Sequence, residues 1–355
     1  MQTDQPTQVR KSESIDLSKL KPYLAGINPS WDADIEVKQF PSGYSNLTYF
    51  LKVGDQEMIL RRPPFGAQVK SGHDMNREYT VMKGLKPGFG KVPEVYHLCQ
   101  DHSVLGCDFY LMERVNGVIV RGKGIEEGGE TIYPKLSQAW IETFVEFHAT
   151  DFKQAGLESL GKPDGYVRRQ VEGWSRRYKK AQTDEVKEIE KTMEWLNQRI
   201  PSESDHTLIH NDYKYDNVMF SPNDWSSLIA VLDWEMATLG DPLMDFGTSL
   251  AYWNEPEDVA IFGKLIQLPT HQAGNPDKLQ IMEMYANLSG RDLSNILYYY
   301  VFGLFKIAVV VQQIYYRYHH GHTDDKRFAT LGMAAQAFCF KAQRAIEKNR
   351  IDQLY

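Results

Sequence analysis

Residues 208–220 read Leu-Ile-His-Asn-Asp-Tyr-Lys-Tyr-Asp-Asn-Val-Met-Phe, and residues 228–235 read Leu-Ile-Ala-Val-Leu-Asp-Trp-Glu. The first stretch contains H-x-D-x-x-x-x-N, with His210, Asp212 and Asn217 at the fixed places. Apolar residues flank the polar cluster, Leu208 and Ile209 before it and Val218, Met219 and Phe220 after it. That pattern predicts a loop between two buried strands. A second apolar run, Leu228–Leu232, stops abruptly at Asp233, a carboxylate at a strand end. Two acids and an amide delivered this way form the donor set that moving a phosphoryl group from a nucleotide requires. The transferring group is mostly charge, so the protein's task is positioning and neutralisation. One carboxylate faces the acceptor hydroxyl as base, while a carboxylate and an amide oxygen hold Mg²⁺.

A third motif, Gly-Asp-Pro-Leu-Met-Asp-Phe-Gly, follows at 240–247. With the three motifs in this order on these elements, the chain resembles the aminoglycoside-phosphotransferase-like family of small-molecule kinases, which share the protein-kinase fold. It is similar to the branch related to the kinase-like domains fused to some acyl-CoA dehydrogenases, over roughly residues 30–330. The resemblance implies an α+β, two-lobed protein-kinase-like fold: a small antiparallel β-sheet N-lobe with one helix, and a larger, mainly helical C-lobe. It further implies ATP and Mg²⁺ as cofactors and the hydroxyl of a small molecule as acceptor, a hydroxyacyl-CoA or another hydroxylated metabolite. An aminoglycoside kinase is the alternative within the enzyme class, and a nucleotide-binding pseudokinase or scaffold the alternative outside it. The intact Asp212, Asn217 and Asp233 set speaks against the latter.

Length and composition are consistent with this. A chain of 355 residues can build two lobes with separate cores. The expected division is a flexible N-terminal tail at 1–30, a nucleotide-binding N-lobe at 31–116 and a C-lobe at 117–355 carrying the catalytic loop and substrate helices. The net charge of −7 argues against nucleic acid or an anionic membrane as partner. Three cysteines (Cys99, Cys107, Cys339) lack metal-ligand spacing and are odd in number, as expected of thiols in a reducing cytoplasm. The opening residues lack an apolar signal region. Ile296–Val311 is almost wholly apolar but short for a span and interrupted by Lys306, so it is read as a buried helix.

The N-terminal half supplies the nucleotide side. Ile35–Phe40, Tyr49–Val53 and Met58–Arg61 are predicted strands, with the turn-rich Pro-Ser-Gly-Tyr-Ser-Asn-Leu-Thr at 41–48 between the first two. Gly43 would allow the backbone close to the phosphates, and Ser45 and Asn46 would offer donors, although an ordinary hairpin turn fits the same residues. Arg61 stands where most kinases place a lysine, and the planar guanidinium is not a neutral replacement. Arg62 points to the opposite face and is expected at the surface. Residues 71–85 are predicted helical, with Glu78 either paired with Arg61 or solvated. Leu111–Val115 is the expected hinge, where the backbone of Glu113 and Val115 would meet the adenine.

Roles within the central motifs follow from the resemblance. Asp212 is the candidate base, Lys214 the cation beside the migrating phosphate, and Asn217 and Asp233 the metal ligands. His210 and Asp216 are expected to be structural, and Glu235 is either a secondary ligand or exposed. Asp245 belongs to an Asp-Phe-Gly triplet but lies 245 − 217 = 28 residues beyond Asn217, against 233 − 217 = 16 for Asp233. It falls inside an apparent helix and is expected to anchor the catalytic loop. His148 is expected to be a packed core histidine. Tyr298, Tyr299, Phe302, Lys306, Tyr315, Tyr316 and Arg317 would suit an acceptor pocket, where Lys306 and Arg317 would repel a polycationic aminoglycoside, but residue by residue a packed core is the preferred reading.

Overall fold

The computed structural model describes residues 5–355 apart from 42–45, 66–73, 126, 204 and 264–267. Gly43 and Ser45 therefore lie outside the described residues. The chain forms two compact units, one of residues 1–119, 150–160 and 217–237, the other of 120–149, 161–216 and 238–355. The units are interleaved in sequence: the segment leading to Asp233, tied by the Val231 N–H to the Lys91 carbonyl, belongs to the first unit.

In the first unit, β1 (Ile35–Gln39), β2 (Leu47–Val53), β3 (Gln56–Arg62), β4 (Val95–Cys99) and β5 (Phe109–Glu113) make an antiparallel sheet in the order β1-β2-β3-β5-β4. Alternation buries Tyr49, Leu51, Met58, Leu60 and Leu111 in one core. That core is closed by helix α1 (Leu17–Ile27), whose Leu20 and Leu24, one turn apart, are both fully buried. Much of the stretch expected to be a flexible tail is therefore a docked helix, capped by the Asp16 side chain accepting from the Ser18 N–H. Tyr23 and Ile27, at helical spacing from these leucines, pack against the same core. Helix α2 (Met75–Leu85) starts at Asp74, which accepts the Arg77 N–H at 3.0 Å, and buries Met75, Glu78, Val81, Met82 and Leu85. A short helix α3 (His102–Leu105) joins β4 to β5.

Two further strands of this unit, β7 (Val218–Phe220) and β8 (Leu228–Val231), form a hairpin. Val118 bridges to Phe220, and the Val231 N–H donates to the Lys91 carbonyl at 2.8 Å. These bonds satisfy the hairpin's outer polar groups and fix where β8 ends.

The second unit is mainly helical: α4 (Gly129–His148), α5 (Tyr166–Ala181), α6 (Lys187–Gln198), α7 (Pro242–Tyr252), α8 (Pro256–Phe262), α9 (Lys278–Ser289), α10 (Ile296–His319) and α11 (Leu331–Lys348). Its short strands β6 (Thr207–Ile209) and β9 (Thr238–Gly240) pair antiparallel. Helix α7 begins with Asp241 accepting from the Leu243 N–H and Pro242 in the first turn, the expected start signal. It crosses α10 at two glycines: a Cβ on Gly303 would lie 2.6 Å from the Gly247 carbonyl oxygen. Only glycine permits that approach. On the same face of α10, Tyr299 donates to Asp241, and Lys306 lies two turns further on. Helix α10 is long and apolar enough to cross a membrane by length and composition, yet 78% of its most apolar window is buried within the protein. It is the core helix that the sequence implied.

Candidate functional site

Within the first unit Arg61, Glu78 and Asp233 converge. Asp233 caps β8 with φ +66°, a left-handed conformation a side-chain-bearing residue adopts at a cost of about 1–2 kcal/mol. The turn swings its carboxylate away from the strand and toward Arg61 of β3. The Leu232 N–H donates to the Asn217 carbonyl at 2.8 Å, so the loop end bearing Asn217 is tied to the strand bearing Asp233. Arg61 Nη2 donates to Asp233 Oδ1 at 2.9 Å, and Arg61 Nε lies 3.3 Å from Glu78 Oε2. The second contact is an ion pair rather than an aligned hydrogen bond. Glu78 is 1% exposed. Burial opposes the Arg61 charge, but Glu78, Tyr110 and Asp233 outweigh it and raise its pKa well above the ordinary value. Burial also raises the Glu78 carboxyl above the usual carboxylate range, with Arg61 opposing it.

The residues around this group have defined partners. Arg77 Nη1 donates to the Ala237 and Leu160 carbonyls at 2.8 and 3.1 Å, fastening α2 to the segment after Asp233. Asn46 donates its amide to Glu235 Oε2 at 2.8 Å, which pairs two of the candidates with each other. Glu113 donates its backbone N–H to the Glu94 carbonyl, and its carboxylate accepts the Glu94 N–H at 3.0 Å. Val115 follows β5 in a half-buried position. Arg62 corrects the sequence reading: it is 4% exposed, with its guanidinium 3.8 Å from the Phe65 ring centre.

Within the second unit the loop at 210–216 is clamped from several elements. Asp245 of α7 accepts the His210 N–H at 2.6 Å and the Asn211 N–H at 2.7 Å, as the sequence implied for this buried acid. The Oδ2 that accepts the His210 N–H also meets His148 Nε2 at 3.2 Å, while His148 Nδ1 lies 2.9 Å from the Tyr285 hydroxyl. A carboxylate can only accept, so Nε2 carries the proton and Nδ1 accepts from Tyr285. Burial lowers the His148 pKa and keeps the ring neutral. His210 is itself fully buried, and its Nδ1 accepts the Asp212 N–H at 3.2 Å, a structural role.

Asp212 Oδ2 lies 3.1 Å from Lys214 Nζ, and both side chains are about one-fifth exposed. Lys214 also approaches Asp216 at 3.8 Å and stands 4.7 Å from the centre of the Tyr252 ring. Burial opposes its charge, but Asp212, Tyr252 and Asp216 raise its pKa well above the ordinary value. Burial raises the Asp216 pKa, and Arg121 donates to the Asp216 carbonyl. Tyr252, Arg121 and Tyr166 (whose hydroxyl donates to Asn211 Oδ1 at 3.1 Å) gave no sequence signal, being distant in the chain and ordinary in type.

Lys306 corrects another expectation. It is 4% exposed and donates from α10 to the Asn211 carbonyl at 2.6 Å. It braces the loop and is not a cation on an acceptor surface. Tyr298 donates to the Leu196 carbonyl and Tyr299 to Asp241, so these aromatics belong to the packed core. The His319–His322 cluster forms no metal site with other acids or cysteines among the described residues.

The fold is that of kinases: a five-stranded antiparallel sheet with helices packed on it, and a helical unit presenting an H-x-D loop. The chain belongs to the APH phosphotransferase enzyme family, whose model matches residues 36–280. It is 33% identical over 315 residues to acyl-CoA dehydrogenase family member 10 of Mus musculus, covering 87% of this chain but 29% of that protein's length. The chain thus spans under a third of that relative. A crystal structure of a candidate aminoglycoside phosphotransferase from Ralstonia eutropha superposes with TM-score 0.80 at 28% identity, covering 94% of this chain and 99% of the other. Aminoglycoside phosphotransferase APH(4)-Ia, solved with ADP and hygromycin B, shares the fold at TM-score 0.60 and 15% identity, over 92% and 98% of the two chains.

Proposed function

We propose that this phosphotransferase moves the γ-phosphoryl group of ATP, with Mg²⁺, to the hydroxyl of a small molecule. The observation that carries the reading is Arg61, whose guanidinium touches both Glu78 and Asp233. A cation kept charged by one buried acid, beside a second acid that is 29% exposed, suits a site for polyphosphate and a divalent metal. The donor set fits Mg²⁺. Asp233 supplies a carboxylate, Asn217 an amide oxygen, and among the described residues no cluster of three acids, histidines or cysteines competes as an all-protein cage. Mg²⁺ ordinarily takes one or two protein oxygens and completes its shell from water and phosphate. When bound, Mg-ATP supplies the phosphoryl group and a cation that neutralises its charge.

The chain's own residues would divide the work as follows. Asp212 accepts the proton of the acceptor hydroxyl at its carboxylate. Lys214 offsets negative charge beside it. Arg61 donates to the phosphates, Glu78 keeps Arg61 aimed, and Asn217 and Asp233 hold the metal. The backbone of Glu113 and Val115 meets the adenine, and Asn46, paired with Glu235, braces the loop above. Gly43 and Ser45 would complete that loop.

For the acceptor, hydroxyacyl-CoA is the first class to test, since the relative is named as an acyl-CoA dehydrogenase family member. An aminoglycoside stays in the comparison for a specific reason. With Lys306 bound to the loop, the cation expected to repel polyamines no longer faces an acceptor. The test is ATP consumption across hydroxyacyl-CoAs, hydroxy acids, sugars, choline-like alcohols and aminoglycosides under one condition. Turnover of hydroxyacyl-CoAs is expected; turnover of aminoglycosides alone would replace that acceptor class.

A further inference from the structure

Lys306 sits in the core of the second unit, yet it keeps an ammonium where a methionine or leucine would pack without losing hydration. Its neighbours come from three elements: Asp212 and Lys214 from the loop, Asp245 from α7, and Arg177 with the Trp174 ring, 5.9 Å from Nζ, from α5. Among the described residues its hydrogen bond is to the carbonyl of Asn211, at 2.6 Å. Asn211 is the residue immediately before the candidate base, and its φ of +68° is left-handed. Three polar groups of Asn211 are held: the N–H by Asp245, the side-chain oxygen by Tyr166 and the carbonyl by Lys306. The carbonyl belongs to the same peptide plane as the Asp212 N–H, so the ammonium fixes the plane from which the base projects.

We propose that Lys306 is a positioning residue for phosphoryl transfer, holding the 211–212 peptide so that Asp212 faces the acceptor. This rests on the reading of Asp212 as base. A second consequence concerns pH. Burial pushes the Lys306 ammonium down to about 8, with Asp212 and Asp245 opposing that shift and Lys214 and Arg177 reinforcing it. The charged form therefore prevails below that value and is lost as pH rises through it. A neutral amine donates a weaker bond to Asn211.

The test uses the full chain with Lys306→Met, which keeps the apolar stem. Hydrogen–deuterium exchange should rise at least about tenfold at the amides of 210–212, through local opening, while α10 and the first unit exchange as in wild type. With the best acceptor from the panel, kcat should fall about 10²-fold with KM for ATP unchanged, since misplacing a reacting group costs that much. The wild-type decline in kcat above pH 8 should vanish in the variant. Wild-type exchange at 210–212 in the variant would overturn the proposal, as would faster exchange spread evenly over the second unit. If Lys306→Met does not fold, wild-type exchange at pH 7 and pH 9 decides. Corrected for intrinsic rates, a rise confined to 210–212 supports the clamp, and no such rise refutes it. The two readings fail separately: an active Asp212→Asn variant removes the base, whereas normal exchange in Lys306→Met removes the clamp.

Discussion

Asp245 holds two consecutive backbone N–H groups of the catalytic loop, that of His210 at 2.6 Å and that of Asn211 at 2.7 Å. Both donors and the acid are buried, so truncating the side chain leaves them unpaired at roughly 1–3 kcal/mol each. Asp245→Ala should therefore lower the melting temperature markedly, while any protein that remains folded still responds to Mg-ATP. Melts with and without Mg-ATP check both halves. A variant as stable as wild type but blind to metal would make Asp245 a metal ligand and reverse its roles with Asp233.

The pair behind Asp245 gives stability a pH dependence. His148 titrates below the usual histidine value because it is buried, so the unfolded chain binds a proton in a range where the folded chain does not. The sign follows: stability is full above the unfolded value of about 6.5 and falls as pH drops below it. Asp245 has a depressed pKa, despite burial, through its bonds to His148 and His210, and adds a loss only at lower pH, as it protonates. Denaturant melts between pH 8 and pH 5 should show the decline, and His148→Gln should flatten it. An unchanged slope in that variant would assign the titration elsewhere.

How much of this was legible beforehand depended on separation along the chain. The loop, the strand ending in Asp233 and the anchoring acid in α7 announce themselves through local pattern, and the kinase-like fold followed from their order. The Arg61–Glu78 pairing was one of two open readings, because a sequence does not say which helix face a strand residue meets. Lys306 was hidden for a stronger reason. Its target lies 95 positions away and is a backbone carbonyl, which has no residue type to recognise. Its reach depends on the Gly247–Gly303 crossing, where two unremarkable glycines set the approach of α7 and α10. Helix α1 was missed because its apolar positions alternate with a serine, two lysines and a proline, and Arg62 because strand alternation does not reveal that both faces are covered.

Asp233 and Glu78 should fail in different ways. Asp233→Ala removes a partly exposed carboxylate, so the fold should persist while Mg-dependent affinity for ATP is lost. Glu78→Ala strips a buried partner from Arg61, and breaking such a pair costs about 3–5 kcal/mol. Calorimetric titration with ATP, with and without Mg²⁺, paired with melting curves, separates them. Equal stability loss in both would mean that Asp233 serves the core rather than a metal.

The most direct measurement is turnover by Asp212→Asn with the best acceptor, beside its affinity for Mg-ATP. Asparagine preserves size and cannot take up the hydroxyl proton. Loss of a positioned base costs about 10²–10⁴-fold. A kcat reduced by that factor, with Mg-ATP affinity unchanged, is the expected result; wild-type turnover would remove Asp212 from the mechanism.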